Sequence, residues 1–317
     1  MRPIVHIGYH KTATTWFQSA VYPTASSHRY VSRSVARQAF LDPCGLQFDP
    51  AEALRLLDDP DDSRPVAICE ENLSGYIHNG GLHGLMAPEA ARRIKAVLPD
   101  ARIVIVIRSQ PSAIAASYVQ YVRGGGTHGI ARYLYPARRL MGAYRHPYKA
   151  PRFAFEHFEY DRIVAYYDRL FGRENVIVLP FEALRADRGG FLQRLSAETG
   201  LLFDPACLTS HRENVSFGRI TLLVGRLLGL LTARSVMDKY YLIGIPGFYD
   251  VRRLILKLLA KIDPTASGTT LLGHRIRADI DARFAQSNRR LSELRDLDLS
   301  ALGYRVAQSS SKISSSP

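Results

Sequence analysis

The chain has 317 residues, 46% of them apolar, enough for one large α/β domain or two small ones, and this excludes a disordered chain. Its 42 Lys plus Arg against 29 Asp plus Glu give a formal charge of +13, which points to an anionic partner without choosing among nucleotide, acidic polymer and membrane surface. Three unpaired-looking cysteines (Cys44, Cys69, Cys207) argue against a disulfide framework or zinc site, and no run of about 18 to 20 apolar residues could span a bilayer.

In chain order, Met1-Arg2-Pro3 leads at once into the apolar run Ile4–Ile7, so no signal peptide is expected and a cytoplasmic location is the default. Next comes "HIGYHKTATTW", with a helix behind it that places Trp16, Phe17, Ala20 and Val21 on one face. A loop between strand and helix that carries one glycine, one lysine and three threonines suits an oxyanion. The small residues Thr12-Ala13-Thr14-Thr15 let backbone amides point at it where the helix begins. A capped helix start beside a solvated lysine is the bland alternative. GxxxxGK[ST] is absent, because the second glycine is missing and Lys11 stands three residues after Gly8.

Val66–Cys69 is a second predicted strand. It is followed by "ICEENLSGY" and a helix over Pro88–Val97. Ile103–Ile107, five consecutive β-branched residues, reads as a strand buried on both faces. A helix opens near Pro111, where proline suits the first turn. Asp161 is expected to cap a helix ending at Phe171-Gly172, and Val176–Leu179 is a fourth strand before a helix over 189–199 that stops at Gly200. Strands alternating with helices imply α/β architecture, a central parallel sheet with helices on both faces and ligand loops at the carboxyl ends of the strands. Residues 219–261 change character, rich in Leu and Arg. A long helix is expected over about 275–297, and "SSSKISSSP" is low in complexity.

Two segments resemble those of sulfotransferases that use 3′-phosphoadenosine-5′-phosphosulfate (PAPS). "HIGYHKTATTWFQ" is similar to their 5′-phosphosulfate loop, and "IVIVIRSQPSAIAASYVQYVRGGG" to their 3′-phosphate segment, in which a strand ends in arginine and the next helix supplies serine. The resemblance implies a P-loop-like sulfotransferase fold, one domain over 1–305 with a helical acceptor-side insertion or lid at about 210–272; the low complexity of the end of the chain sets a disordered tail over 306–317. The resemblance also implies nucleotide contacts from His10, Lys11, Thr12, Ala13, Thr14, Thr15, Trp16, Arg108 and Ser117. Trp16 would stack on adenine, or else is core. The interval from Arg108 to Ser117 is one residue longer than in the cytosolic animal enzymes, which puts Ala116 where those have serine. No clear counterpart of the loop closing over the 3′-phosphate exists, and "GHRIRAD", through Arg275 or Arg277, is assigned that place.

Sulfuryl transfer needs a base, a cation at the leaving phosphate and firm positioning. Lys11 supplies the cation. Glu70 or Glu71 projects from the same sheet edge, and glycan-modifying sulfotransferases place a glutamate five residues before a tyrosine, the spacing of Glu71 and Tyr76. Glu71 is therefore assigned as base and His10 as fallback. No metal is expected to be required. The expected acceptor is a carbohydrate or glycolipid hydroxyl, or an amine, because "GIARYLYPARRLMGAYRHPYKAPRF" interleaves arginines with tyrosines; the products include adenosine 3′,5′-bisphosphate. Residues 219–261 also suggest peripheral contact with a membrane, against the alternative of a helix packed on its own domain. A nucleotide-dependent kinase and a non-catalytic basic module binding membrane or nucleic acid are the rival readings; no nucleic acid partner is expected.

Overall fold

A computed structural model describes residues 1–135, 152–204, 217–233, 236, 239–263 and 268–308. Five strands form one parallel sheet: β1 (Ile4–Gly8), β2 (Arg29–Val31), β3 (Val66–Cys69), β4 (Arg102–Ile107) and β5 (Val176–Pro180), in the order β2-β3-β1-β4-β5. β1 lies at the centre, with Val5 opposite Ile68 on one side and Ile103 on the other. The sequence reading finds four of the five. It misses β2, a three-residue edge strand in which Arg29 and Tyr30 are only half-buried, so no apolar run marks it.

Period-two alternation divides the strands between two cores. Ile103, Ile105 and Ile107 face one core with Val5, Ile7, Ile68 and Val178. Val104 and Val106 face the other with Ile4, Ala67, Ile177 and Leu179. Both faces are covered, which is why five β-branched residues run without a polar interruption.

The helices follow in chain order. α1 (Thr14–Trp16) continues as a wider turn over Phe17–Val21. α2 (Arg33–Phe40) and α3 (Pro50–Leu57) separate β2 from β3. Side-chain caps at Ser32 and Asp49 open these two. α4 (Met86–Val97) precedes β4; α5 (Gln110–Arg123, proline in its first turn) and α6 (Ile130–Leu134) follow it. α7 (Tyr160–Phe171) precedes β5, and α8 (Phe181–Ala186) and α9 (Arg188–Thr199) come after. Among the described residues three more helices follow: α10 (Arg219–Gly229), α11 (Phe248–Ile262) and α12 (Gly268–Arg295), the last interrupted at Gly273.

Two expectations change here. Asp161 does not cap α7, whose boundary residue Glu159 makes no side-chain cap; Asp161 is buried, accepts from the Ser287 hydroxyl and pairs with Arg290 at 2.6 Å, and so ties α7 to α12. Packing also runs beyond residue 305. The Ala307 amide donates to the Ala285 carbonyl at 2.9 Å and Arg289 donates to the Gln308 carbonyl at 3.2 Å, while 309–317 lie outside the described residues.

Candidate functional site

The loop after β1 is built around Gly8, whose φ of +100° an L side chain rarely adopts. A Cβ there would also lie 3.1 Å from the Glu71 Cα, so the loops after β1 and β3 meet backbone to backbone. Lys11 (φ 63°) and Ala13 (φ 65°) both take the left-handed conformation, and Thr12 between them does not share it. Alternation of this kind makes a concave row of amides suited to an anion. Among the described residues, the amides of Thr12, Ala13, Thr14 and Thr15 donate to no protein acceptor, whereas the Trp16 amide returns to the Ala13 carbonyl at 2.8 Å. The Thr12 hydroxyl donates to the Tyr9 carbonyl and braces the turn.

Lys11 is largely buried, and its ammonium donates to Gln120 Oε1 on α5 at 2.7 Å. Burial, then the nearby Arg123 guanidinium and Arg108, lower its pKa to about 8 against the opposing pull of Glu71. Arg108, at the carboxyl end of β4, donates to the Lys11 carbonyl at 2.8 Å and to the Ser112 hydroxyl at 2.9 Å. It stacks over Phe181 at 5.0 Å, and its own carbonyl accepts from the Tyr160 hydroxyl at 2.8 Å. Burial holds this guanidinium below its ordinary pKa.

Glu71 opens the short turn after β3. It accepts from Gln18 at 2.9 Å and pairs with Arg33 at 2.6 Å. Its neighbour Glu70 is fully buried and takes Arg33 and Arg37, each at 3.0 Å, plus the Asn72 amide at 3.0 Å. Burial pushes the Glu70 carboxyl up, but these donors outweigh it and hold its pKa below the ordinary carboxylate range. Glu70 therefore positions Arg33, and Glu71 faces the loop. His10 Nε2 lies 3.2 Å from Asn72 Oδ1, its Nδ1 is buried with no hydrogen-bond partner, and burial lowers its pKa. His78, bonded to the Tyr133 hydroxyl at 2.7 Å, and His157, against the Tyr9 ring at 5.2 Å, are both lowered to about 3 by burial and stay neutral. A cavity of about 510 Å³ opens on the Tyr9 side, with Asn79, His157, Glu156 and Arg162 in its wall.

The structure thus brings Lys11, Arg108, Glu71, His10 and the threonine amides to one sheet edge. Three expected residues stand elsewhere. Ser117 is 1% exposed and its hydroxyl lies 3.5 Å from the Ile77 carbonyl, on the core side of α5. Ser112 and Ala116, four residues apart on the half-exposed side, share the Arg108 face instead. Trp16 is 4% exposed, packs on Phe17 at 5.0 Å and carries the Arg188 guanidinium over its ring at 5.4 Å, so it sits in the core. Arg275 is exposed on α12. The same helix meets the start of α5 through Asn288 and Gln110 at 2.7 Å, and Arg275 lies about 20 Å along the axis from that contact. Arg277 pairs with Asp281 at 3.6 Å. Most of the Arg–Tyr stretch expected to face the acceptor, 136–151, is outside the described residues, as is Cys207.

Sequence reasoning missed Gln18, Arg33, Ser112, Gln120 and Arg123. Arg33 is 38 residues from Glu71 and on an unrelated helix, so no local pattern announces the pair. Ser112 carried a signal, since it stands one helical turn past Arg108.

No family model matches the chain, and no curated protein matches it by sequence. Among solved structures it is similar to a sulfotransferase from Alicyclobacillus acidocaldarius, at 18% identity over 95% of this chain and 99% of that one, with a TM-score of 0.55. It is also similar to a mouse sulfotransferase complexed with PAP (14% identity, 95% of this chain and 88% of that one, TM-score 0.43) and to a sulfotransferase domain from the curacin biosynthetic pathway (14%, 88% and 98%, 0.38). The parallel sheet, with its β1 loop at the centre and helices on both faces, is the fold of the Alicyclobacillus acidocaldarius sulfotransferase.

Proposed function

We propose that the chain transfers a sulfuryl group from PAPS to an acceptor hydroxyl or amine and releases adenosine 3′,5′-bisphosphate. The observation that carries this is the contact between Arg108 and the Lys11 carbonyl, which sets two anion-binding groups side by side at the ends of neighbouring strands. The amides of Thr12–Thr15 and the Lys11 ammonium would hold the 5′-phosphosulfate, and Arg108 with Ser112 the 3′-phosphate. In the reaction the acceptor oxygen forms a bond to sulfur while the bond from sulfur to the bridging phosphate oxygen breaks. Lys11 meets the charge that collects on that leaving oxygen, and Glu71 takes the acceptor proton, kept in position by Arg33 and Gln18.

The acceptor is read as a carbohydrate or glycolipid hydroxyl. Support comes from the half-buried Arg132, which stacks over the exposed Tyr240 at 4.5 Å and donates to its hydroxyl at 2.7 Å; such an edge suits a sugar face and an acidic substituent. Tyr133, by contrast, belongs to the core.

The test is transfer of labelled sulfuryl from PAPS to a panel of glycans, glycolipids and phenols, with Glu71→Gln alongside. Glu71→Gln should lower turnover by about 10² to 10⁴ at nearly unchanged PAPS affinity. Full turnover in that variant would move the base to His10, and sulfation of phenols alone would reject the glycan reading.

A further inference from the structure

α10 and α11 are built inside out. On α10 the inward positions are Thr221, Leu222, Gly225 and Gly229, while Ile220, Leu223 and Leu227 face away from the protein. A Cβ on Gly225 would come within 3.0 Å of Val122 on α5, so the small residues let the helix lie close. On α11 the inward side holds Leu256 and a fully buried arginine, Arg252. The outward side carries Val251, Leu254 (59% exposed), Leu258 (55%) and Ile262 (78%). Positions 251, 254, 258 and 262 form one continuous stripe. The connection between the helices adds Tyr240, Tyr241, Leu242, Ile243 and Ile245, all exposed. Twelve of the nineteen exposed large hydrophobics among the described residues thus fall in 220–262, far more than a soluble face leaves open.

Charge says what should cover it. Residues 217–263 contain eight Lys or Arg against three Asp, and Arg253, Lys257 and Lys261 are exposed beside the apolar stripe of α11. Two copies meeting through this face would set like charge on like charge. No helix among the described residues is long and apolar enough to cross a membrane. Apolar stripe, basic flanks and two adjacent tyrosines together match the headgroup boundary of a bilayer.

We propose that the outer face of α10 and α11, with Tyr240–Ile245 between them, docks on the surface of an anionic membrane. The inference rests on this exposed face and does not need the proposed reaction, although Tyr240 borders both the docking face and the acceptor edge.

The test is co-sedimentation of the full chain with vesicles of phosphatidylcholine alone or with added phosphatidylglycerol, at low and high salt. Binding should require the anionic lipid and weaken at high salt. Leu254→Ser with Leu258→Ser should lower partition at least about tenfold, and Lys257→Glu with Lys261→Glu should remove the dependence on phosphatidylglycerol. Both variants change exposed positions, so their thermal unfolding midpoint should match that of the unaltered chain and report folding separately. A chain that stays in the supernatant at low salt overturns the proposal. So does one that forms a dimer through this face and ignores vesicles, or one whose partition survives the double serine change.

Discussion

At the scale of single residues, the proposed chemistry turns on Lys11. With its pKa lowered to about 8 it is charged below that pH and loses its proton above it. A bound anion would hold the proton, so nucleotide affinity should be flat below pH 8 and fall by up to about tenfold per pH unit above it. Titration calorimetry across that range measures the slope, which Lys11→Arg should abolish. The same residue makes the ligand-free fold gain stability between about pH 8 and the ordinary lysine value of 10.5, since there the unfolded chain binds the extra proton. A second expectation separates two serines. Ser112→Ala should weaken binding of ligands bearing a 3′-phosphate by about 1 kcal/mol and leave 5′-only ligands unaffected. Ser117→Ala should change neither, because its hydroxyl faces the Ile77 carbonyl. An equal loss in both variants, measured by competition binding, would reject this placement. The different surroundings of the two serines are a matter of helical phase: one residue turns a side chain by roughly 100°, and the sequence shows the type of residue without the phase.

At the scale of elements, Arg252 is the joint between α10, α11 and the end of α5. Its guanidinium donates to the carbonyls of Val122 and Arg123 at the end of α5 and to Gly225 on α10 at 2.9 Å. A planar fork placed at the negative end of a helix dipole reaches both helices, which a single ammonium would not. Arg252→Met should therefore loosen α10 and α11 by about 3 kcal/mol, read as faster hydrogen exchange there with sheet amides unchanged. Uniform loss across the sheet would show that α10 and α11 are part of the global fold. From sequence, Leu254, Ile255, Leu258 and Leu259 look like a face set against the basic residues. The helix does place Leu254 and Leu258 together, but outward, and a fully buried arginine could not be read from the pattern because buried arginines are rare. β1, β3, β4 and β5 were legible for the opposite reason: burial on both faces leaves a short apolar run rich in β-branched residues.

At the scale of the whole molecule, β1 is flanked by β3 and β4, and the chain leaves it towards β2 on one side and leaves β4 towards β5 on the other. The crevice where the connections part is the usual ligand position in an open α/β sheet. This much follows from alternating strands and helices plus one unusual loop. What did not follow is the set of partners drawn from distant segments, Arg33 and Arg37 on Glu70 above all, since spacings above 30 residues encode no geometry. If the crevice binds adenosine 3′,5′-bisphosphate, a concentration of 100 times its dissociation constant should stabilise the fold by about 2.7 kcal/mol. That gain should be the same with and without magnesium. A thermal shift seen only with ATP and magnesium would favour the kinase reading.

Arg108 has two jobs at once in this arrangement. Through one nitrogen it props the carbonyl of Lys11 and through another it meets Ser112, and in the proposed reaction this pair would be the group offered to the far phosphate. The two ends of a nucleotide would then not be sensed separately, because whatever draws the guanidinium towards one end relaxes or tightens the backbone that grips the other. Affinities of fragments bearing one phosphate should not sum to that of the whole, and a double-mutant cycle between Arg108 and Thr12 should return a coupling of about 0.5 to 3 kcal/mol. The ligand would be measured as a single length, with the protein acting as a gauge for the distance between its charges.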